Sequence, residues 1–116
     1  MSLKNISPIK TSSWKTLLTH FKDIKNSRIE DLIRNKNRIK NFTISYGDFL
    51  VDFSKNIMND KTLRLLLKLA EESDLKNAIR KQFEGEKINK SENRAVLHSA
   101  IRSSKKKIKF MLMVKI

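Results

Sequence analysis

The chain contains no cysteine, a single proline and two glycines. Without cysteine, neither a disulfide framework nor a thiolate metal site can form. The longest uninterrupted apolar run, residues 110–114, is five residues long, whereas a membrane-spanning helix needs roughly 20. The amino terminus has no apolar segment of the kind that a secretory signal contains. These absences favour a soluble, cytoplasmic protein, and 116 residues allow one domain with a modest core.

The formal net charge of +14 supports two interpretations. A small, basic, helical protein that binds nucleic acid is one, because clustered cations release counterions from a phosphate backbone. Compositional drift is the other, since lysine provides 19 of the 26 basic residues and shares A/T-rich codons with the abundant Ile and Asn. The cations are scattered, and aromatic residues do not alternate with them as in a stacking platform. We favour drift and keep nucleic-acid binding as the alternative.

Apolar spacing predicts two consecutive helices in the first third of the chain. The polar trio at residues 11–13 can cap a first helix, whose apolar stripe consists of Trp14, Leu17, Leu18, Phe21 and Ile24. Ser27 and Glu30 have the spacing of a capping box and predict a short second helix. The polar, basic residues 34–41 predict a solvated loop.

Residues 42–46 and 49–53 alternate apolar and polar side chains on either side of Gly47 and Asp48. This pattern predicts a β-hairpin with a two-residue turn, in which glycine supplies the positive φ. Asn59 or Asp60 can cap the next helix. The apolar stripe of that helix is so broad that we expect burial on more than one side; its members are Leu63, Leu65, Leu66, Leu67, Leu69 and Ala70.

Two further helices complete the expected architecture. One begins near Ser73 and ends at Gly85. The other is capped by Ser91, runs from Glu92 to about Ser103, and directs Leu97, Ala100 and Ile101 inward. The predicted fold class is therefore mainly α with one β-hairpin, with about five helices.

Residues 83–102 carry the most informative motif, Phe-Glu-Gly-Glu-Lys-Ile-Asn-Lys-Ser-Glu-Asn-Arg-Ala-Val-Leu-His-Ser-Ala-Ile-Arg. It closely resembles a signature of the glucose-6-phosphate isomerase (phosphoglucose isomerase) family. Residues 11–21, 42–56 and 61–71 also resemble blocks of that family in order and spacing, with Phe53 where tyrosine is usual. The resemblance implies that residues 1–102 are an amino-terminal helical segment of a larger α/β sugar-isomerase-type enzyme.

The resemblance implies an aldose–ketose isomerase that interconverts glucose 6-phosphate and fructose 6-phosphate in glycolysis and gluconeogenesis. Such a reaction needs a carboxylate general base. In the family the base, the ring-opening His and Lys, and the phosphate-binding loop lie well downstream of the residues that match. We therefore assign no catalytic, cofactor-binding or metal-binding residue to this chain and expect it to be inactive alone. The resemblance further implies a cytoplasmic homodimeric parent without a cofactor, with a sugar phosphate as substrate and no membrane or nucleic-acid partner.

The polar residues of the signature are Glu86, Lys87, Arg94 and His98. If Arg94 and His98 share a helix face, they could bind a sugar phosphate, because arginine forms bidentate phosphate contacts and histidine titrates near neutrality. We favour a structural role, in which the four residues fix the loop 84–91 to the helix that follows. His20 and His98 are the only histidines and lie on separate predicted helices, which argues against a metal site.

The resemblance fades after Arg102, so residues 103–116 form a divergent basic tail. A frameshift is one explanation of this tail: read in the neighbouring frame, codons for residues 113–116 can encode Asn-Gly-Lys-Asn, which is close to the family's Asp-Gly-Lys-Asp. Unrelated sequence with a chance near-match is the alternative.

Overall fold

The computed structural model describes residues 3–96 of the chain. The described residues form two compact units: one contains residues 9–69, and the other contains residues 3–8 and 70–96. In chain order, a 3₁₀ turn at Pro8–Lys10 precedes α1 (Ser12–Ile24), α2 (Ile29–Ile33), α3 (Arg38–Asn41), β1 (Thr43–Tyr46), β2 (Phe49–Asp52), α4 (Asp60–Glu72) and α5 (Leu75–Glu84). The predicted fold class, mainly α with one β-hairpin, is confirmed for this part of the chain. None of the helices within residues 3–96 is both long enough and apolar enough to span a bilayer.

Helix α1 begins where the polar trio predicted. Thr11 is the N-cap in an extended conformation, and its Oγ1 accepts a hydrogen bond of 3.2 Å from the backbone N–H of Trp14. The apolar stripe faces partly inward: Ile24 is buried, whereas Leu18 and Phe21 are more than half exposed. The first helix is thus confirmed, but much of its stripe remains accessible.

The start of α2 differs from the prediction. The helix is confirmed, but its N-cap residue is Arg28, which makes no side-chain capping bond. The carboxylate of Glu30 lies 3.0 Å from the Arg28 guanidinium, so it is engaged in an ion pair. The predicted capping box of Ser27 and Glu30 is therefore wrong, because an ion pair with the neighbouring arginine takes the carboxylate that would close it.

Residues 34–41 are not the solvated loop that their polarity predicted. The last four form α3, and Arg38 at its start is 4% exposed. The guanidinium donates three hydrogen bonds to backbone carbonyls: Nε to Ser54 at 2.6 Å, Nη2 to Asn56 at 2.7 Å and Nη1 to Met58 at 2.9 Å. These carbonyls belong to an irregular segment between β2 and α4. Because no helix or sheet provides donors to that segment, the Arg38 side chain provides them.

The core of the unit of residues 9–69 surrounds this arginine. The Arg38 guanidinium carbon lies 4.6 Å from the ring centroid of Phe42, a cation–π distance. Phe42 is buried and meets Phe53 edge to face, with 5.6 Å between the ring centroids. Ile24, Phe42 and Met58 are the buried apolar side chains among the described residues, so this core is small.

The hairpin is confirmed in register and turn. β1 pairs antiparallel with β2, Ile44 opposite Val51 and Tyr46 opposite Phe49, which leaves Gly47 and Asp48 as the two-residue turn. Gly47 adopts φ +54°, a left-handed conformation that glycine tolerates.

Helix α4 is capped by Asn59, one of the two predicted residues. The Asn59 Oδ1 accepts from the N–H of Thr62 at 3.0 Å, and the Thr62 Oγ1 accepts from the N–H of Asn59 at 3.1 Å. The expected burial on more than one side is wrong, because none of the thirteen residues of α4 is buried. Its broad leucine stripe remains partly open to solvent, as the 43% exposure of Leu66 shows.

The second unit contains α5, which begins at Leu75 after Asp74 and ends at Gly85 as predicted. The helix predicted to start at Glu92 does not start there: residues 91–93 lie in a turn, and Arg94 forms an isolated bridge with Asn89. The rest of that predicted helix lies outside the described residues, as does the tail of residues 103–116.

The Arg38 contacts generate a prediction about local stability. Arg38→Ala leaves three inward-facing carbonyls without their donor, and each unsatisfied buried group costs about 1–3 kcal/mol. We expect the hydrogen-exchange protection of the Phe53 amide, which donates to the Phe42 carbonyl at 2.9 Å, to fall by about 100-fold, the equivalent of ~2.8 kcal/mol.

Arg34→Ala is the matched control, since the Arg34 side chain is 79% exposed and pairs only with Asp31 among the ion pairs of the described residues. That substitution should leave Phe53 protection nearly unchanged. Equal protection in the two variants would show that Arg38 does not organise the segment.

Candidate functional site

Glu86, the first of the predicted signature residues, is joined to α5. Its carboxylate lies 3.1 Å from the Nζ of Lys81, whose side chain is 5% exposed. The hydrogen bond from Lys81 lowers the pKa of Glu86 below its ordinary value of 4.5. Glu86 therefore compensates the charge of a buried lysine one and a half turns earlier.

The end of α5 fixes this ion pair in place. Gly85 has φ +76°, the N–H of Gly85 donates to the carbonyl of Gln82 at 3.4 Å, and the N–H of Glu86 donates to the carbonyl of Lys81 at 3.0 Å. This is the Schellman arrangement, in which glycine in the left-handed region ends the helix. Lys81 thus holds Glu86 twice, through its backbone carbonyl and through its ammonium group.

Arg94 belongs to a tight loop that Asn89 organises. The backbones of Asn89 and Arg94 exchange two hydrogen bonds of 3.1 and 3.2 Å. The Asn89 Oδ1 accepts from the hydroxyl of Ser91 at 2.8 Å and from the N–H of Glu92 at 3.3 Å. Asn89 therefore closes this loop through its backbone and its side-chain oxygen, and residues 91–93 form a turn where a helix capped by Ser91 was predicted.

The four signature residues are not gathered into one site by the described structure. Glu86 pairs with Lys81, while Lys87 and Arg94 have exposed side chains. Arg94 does not lie on a helix, and His98 lies outside the described residues, so the shared helix face of the two remains a prediction. One contact is consistent with a structural role, the ion pair of Glu86 with Lys81. It joins the loop to the preceding helix α5, whereas we predicted contacts with the helix that follows.

His20 is a buried structural side chain. Its ring is 3% exposed, and its Nε2 lies 2.8 Å from the Oγ1 of Thr62, beside the Asn59 cap of α4. Its Nδ1 is 3.9 Å from the carboxylate of Asp23. The histidine thus joins α1 to the beginning of α4. Within residues 3–96, no three His, Cys, Asp or Glu side chains are grouped so that they could hold a metal ion.

A groove of about 300 Å³ lies along α1. Its lining is apolar except for His20 and Thr62, which bond to each other. The apolar members are Trp14, Leu17, Leu18, Phe21, Ile24 and Ile57. No lysine or arginine lines the groove, so it offers no counter-charge to a phosphate group and is not a sugar-phosphate site.

Sequence reasoning missed the two buried cations. Arg38 and Lys81 are both 4% exposed, yet each lies among many basic residues that face solvent. Nothing in their spacing separates them from those neighbours. A weak signal exists for Lys81, since Glu86 of the recognised motif follows five residues later, just past the helix-ending Gly85.

The family model for phosphoglucose isomerase matches residues 52–112, more than half of the chain. The chain therefore belongs to the phosphoglucose isomerase family. This match extends ten residues beyond Arg102, where the resemblance described above ends.

Individual relatives are the glucose-6-phosphate isomerases of several bacteria. The chain is 50% identical to that of Christiangramia forsetii over 104 residues and to that of Wigglesworthia glossinidia brevipalpis over 105 residues, in each case 89% of this chain and 19% of the relative. It is also 50% identical to that of Buchnera aphidicola subsp. Schizaphis graminum over 103 residues. The chain thus spans about a fifth of the length of the curated relatives it matches.

The ion pair of Lys81 with Glu86 generates a prediction about pH. Because the folded-state pKa of Glu86 is lowered, its contribution to stability is present above the unfolded-state pKa and is lost as pH falls through the folded-state pKa. Lys81→Met keeps the buried aliphatic stem and removes the ammonium group. We expect this substitution to raise the pKa of Glu86 toward its ordinary value in a ¹³C NMR titration of the side-chain carboxyl.

Arg80→Met is the control for the removal of one positive charge from α5. Arg80 is half-exposed and pairs with Glu84, and its effect on the pKa of Glu86 is the smallest of the contributing interactions. A shift as large in Arg80→Met as in Lys81→Met would mean that general charge, not the Lys81 contact, lowers this pKa.

Proposed function

We propose that this chain is the amino-terminal segment of a glucose-6-phosphate isomerase and that it supplies structure, not catalytic groups, to that enzyme. The observation that carries the proposal is the 50% identity to enzymes of that name across 89% of the chain. The parent enzyme would interconvert glucose 6-phosphate and fructose 6-phosphate in the cytoplasm as a glycolytic and gluconeogenic homodimer. It would need no cofactor.

The contacts of the described residues support a structural role. Among the described residues, buried Arg38 donates to three backbone carbonyls, and buried Lys81 pairs with the carboxylate of Glu86. The groove along α1 has no lysine or arginine in its lining to bind a phosphate. Within the signature, Glu86 contacts Lys81 at the carboxyl-terminal end of α5 through both its carboxylate and its backbone N–H. We therefore propose that Glu86, Lys87, Arg94 and His98 position the loop after α5 and do not touch the substrate.

A chimaera tests this proposal. Residues 8–102 of this chain would replace the aligned amino-terminal segment of the Wigglesworthia enzyme. We expect the chimaera to convert fructose 6-phosphate to glucose 6-phosphate in an assay coupled to glucose-6-phosphate dehydrogenase, with kcat within about tenfold of the parent enzyme, a barrier change below ~1.4 kcal/mol.

The 116-residue chain alone provides the second half of that test. It should show no activity above an empty-vector control, since the general base of the family reaction is expected downstream. Activity of the isolated chain would refute the scaffold role, and an inactive but folded chimaera would refute the family function.

Nucleic-acid binding is the alternative function that the net charge of +14 leaves to be tested. A salt series on duplex DNA separates the two, because the slope of log K against log salt is about −0.9 for each phosphate neutralised. A segment whose cations are dispersed should bind weakly and with a shallow slope. A slope equivalent to six or more phosphates, with retention at 200 mM salt, would support the nucleic-acid-binding function instead.

A further inference from the structure

One face of the hairpin is a continuous, exposed apolar surface. The register places Ile44 opposite Val51 and Tyr46 opposite Phe49, and side chains that are opposite or two residues apart share a face of a sheet. Each of these four side chains is between 55% and 75% exposed. We call this surface the hairpin face. The other side of the hairpin carries Thr43, Ser45, Leu50 and Asp52.

The hairpin also lies in the longest stretch of the chain without a positive charge. Residues 41–54 contain no lysine or arginine, although the chain has 26 of them. Lysine substitution is tolerated on a solvated surface and is costly where a side chain is desolvated. A segment that remains free of lysine while lysine is abundant elsewhere is the pattern of a covered surface, even though the four side chains are exposed in this chain.

We propose that the hairpin face docks onto the polypeptide that follows the matched segment in the isomerases of this family, and that this contact attaches the segment to the rest of the enzyme. About four fifths of each relative's length lies outside the match, so the proposed occupant is large enough to cover the face. The occupant would present an uncharged apolar surface, because the hairpin face offers no group to pair with a buried charge. This inference rests on the proposed function.

A second copy of this chain fits the face less well. Two copies would bring two net charges of +14 together, and self-repulsion of this size opposes association. A two-stranded hairpin is also marginal in water unless a helix or further strands cover it. The downstream polypeptide supplies that cover within one molecule, without the loss of translational freedom that a second copy would incur.

Adjacent residues of the hairpin provide a matched experiment in the chimaera. Phe49 lies on the hairpin face and is 75% exposed, whereas Leu50 lies on the opposite side and is 71% exposed. The two side chains are thus equally accessible in this chain. In the chimaera, Phe49→Ser should lower Tm by about 3 °C or more, because it creates a cavity at a buried site. Leu50→Ser should lower Tm by less than about 1 °C.

Each outcome decides between the interpretations. Failure of the Phe49→Ser chimaera to fold, with the Leu50→Ser chimaera folded, is the strongest form of the expected result. Equal Tm shifts in an active chimaera overturn the docking and leave the proposed function intact. A chimaera that folds but is inactive overturns the proposed function and this inference with it. Sedimentation of the isolated chain as a dimer that Phe49→Ser dissociates would assign the face to a second copy.

Discussion

The structure of residues 9–69 depends on one guanidinium group. Arg38 is almost fully desolvated, and it offsets this cost by donating to three backbone carbonyls and by stacking on Phe42. Only three apolar side chains of the described residues are fully buried, so the fully buried apolar core is small. The hydrogen bonds of Arg38 hold a segment that has no regular secondary structure. That segment leads directly into Asn59, the cap of α4.

Regular apolar spacing made much of this fold predictable. The helix after Thr11, the hairpin around Gly47 and the helix that ends at Gly85 all follow from local signals, because periodicity, caps and positive φ act within a few residues. Residues 3–96 contain five α-helices, as many as we expected for the chain, but α3 was missed and no helix begins at Glu92. The burial of Arg38 depends on carbonyls 16 to 20 residues away, and no local pattern encodes such partners.

The candidate site shows a similar division. The motif that contains Glu86 identified the family, because a match over many positions is specific, but it did not reveal what the glutamate does. Its partner Lys81 lies outside the motif's polar set and resembles the many lysines that face solvent. Because lysine is so abundant in this sequence, nothing distinguished Lys81 from the lysines that are exposed to solvent. Likewise, the Oδ1 of Asn89 accepts from both the Ser91 hydroxyl and the Glu92 N–H, and sequence spacing does not distinguish such a turn from a helix capped by Ser91.

The short sequence separation of the Arg38 contacts has a consequence for folding during synthesis. A loop of ten residues closes within about 10–100 ns, whereas a ribosome takes roughly a second or more to add 20 residues. All three acceptors of Arg38 are within 20 residues of it along the chain. The arginine can therefore find its carbonyls as soon as Met58 leaves the exit tunnel, so this unit has time to become ordered while the residues after position 69 are still being translated.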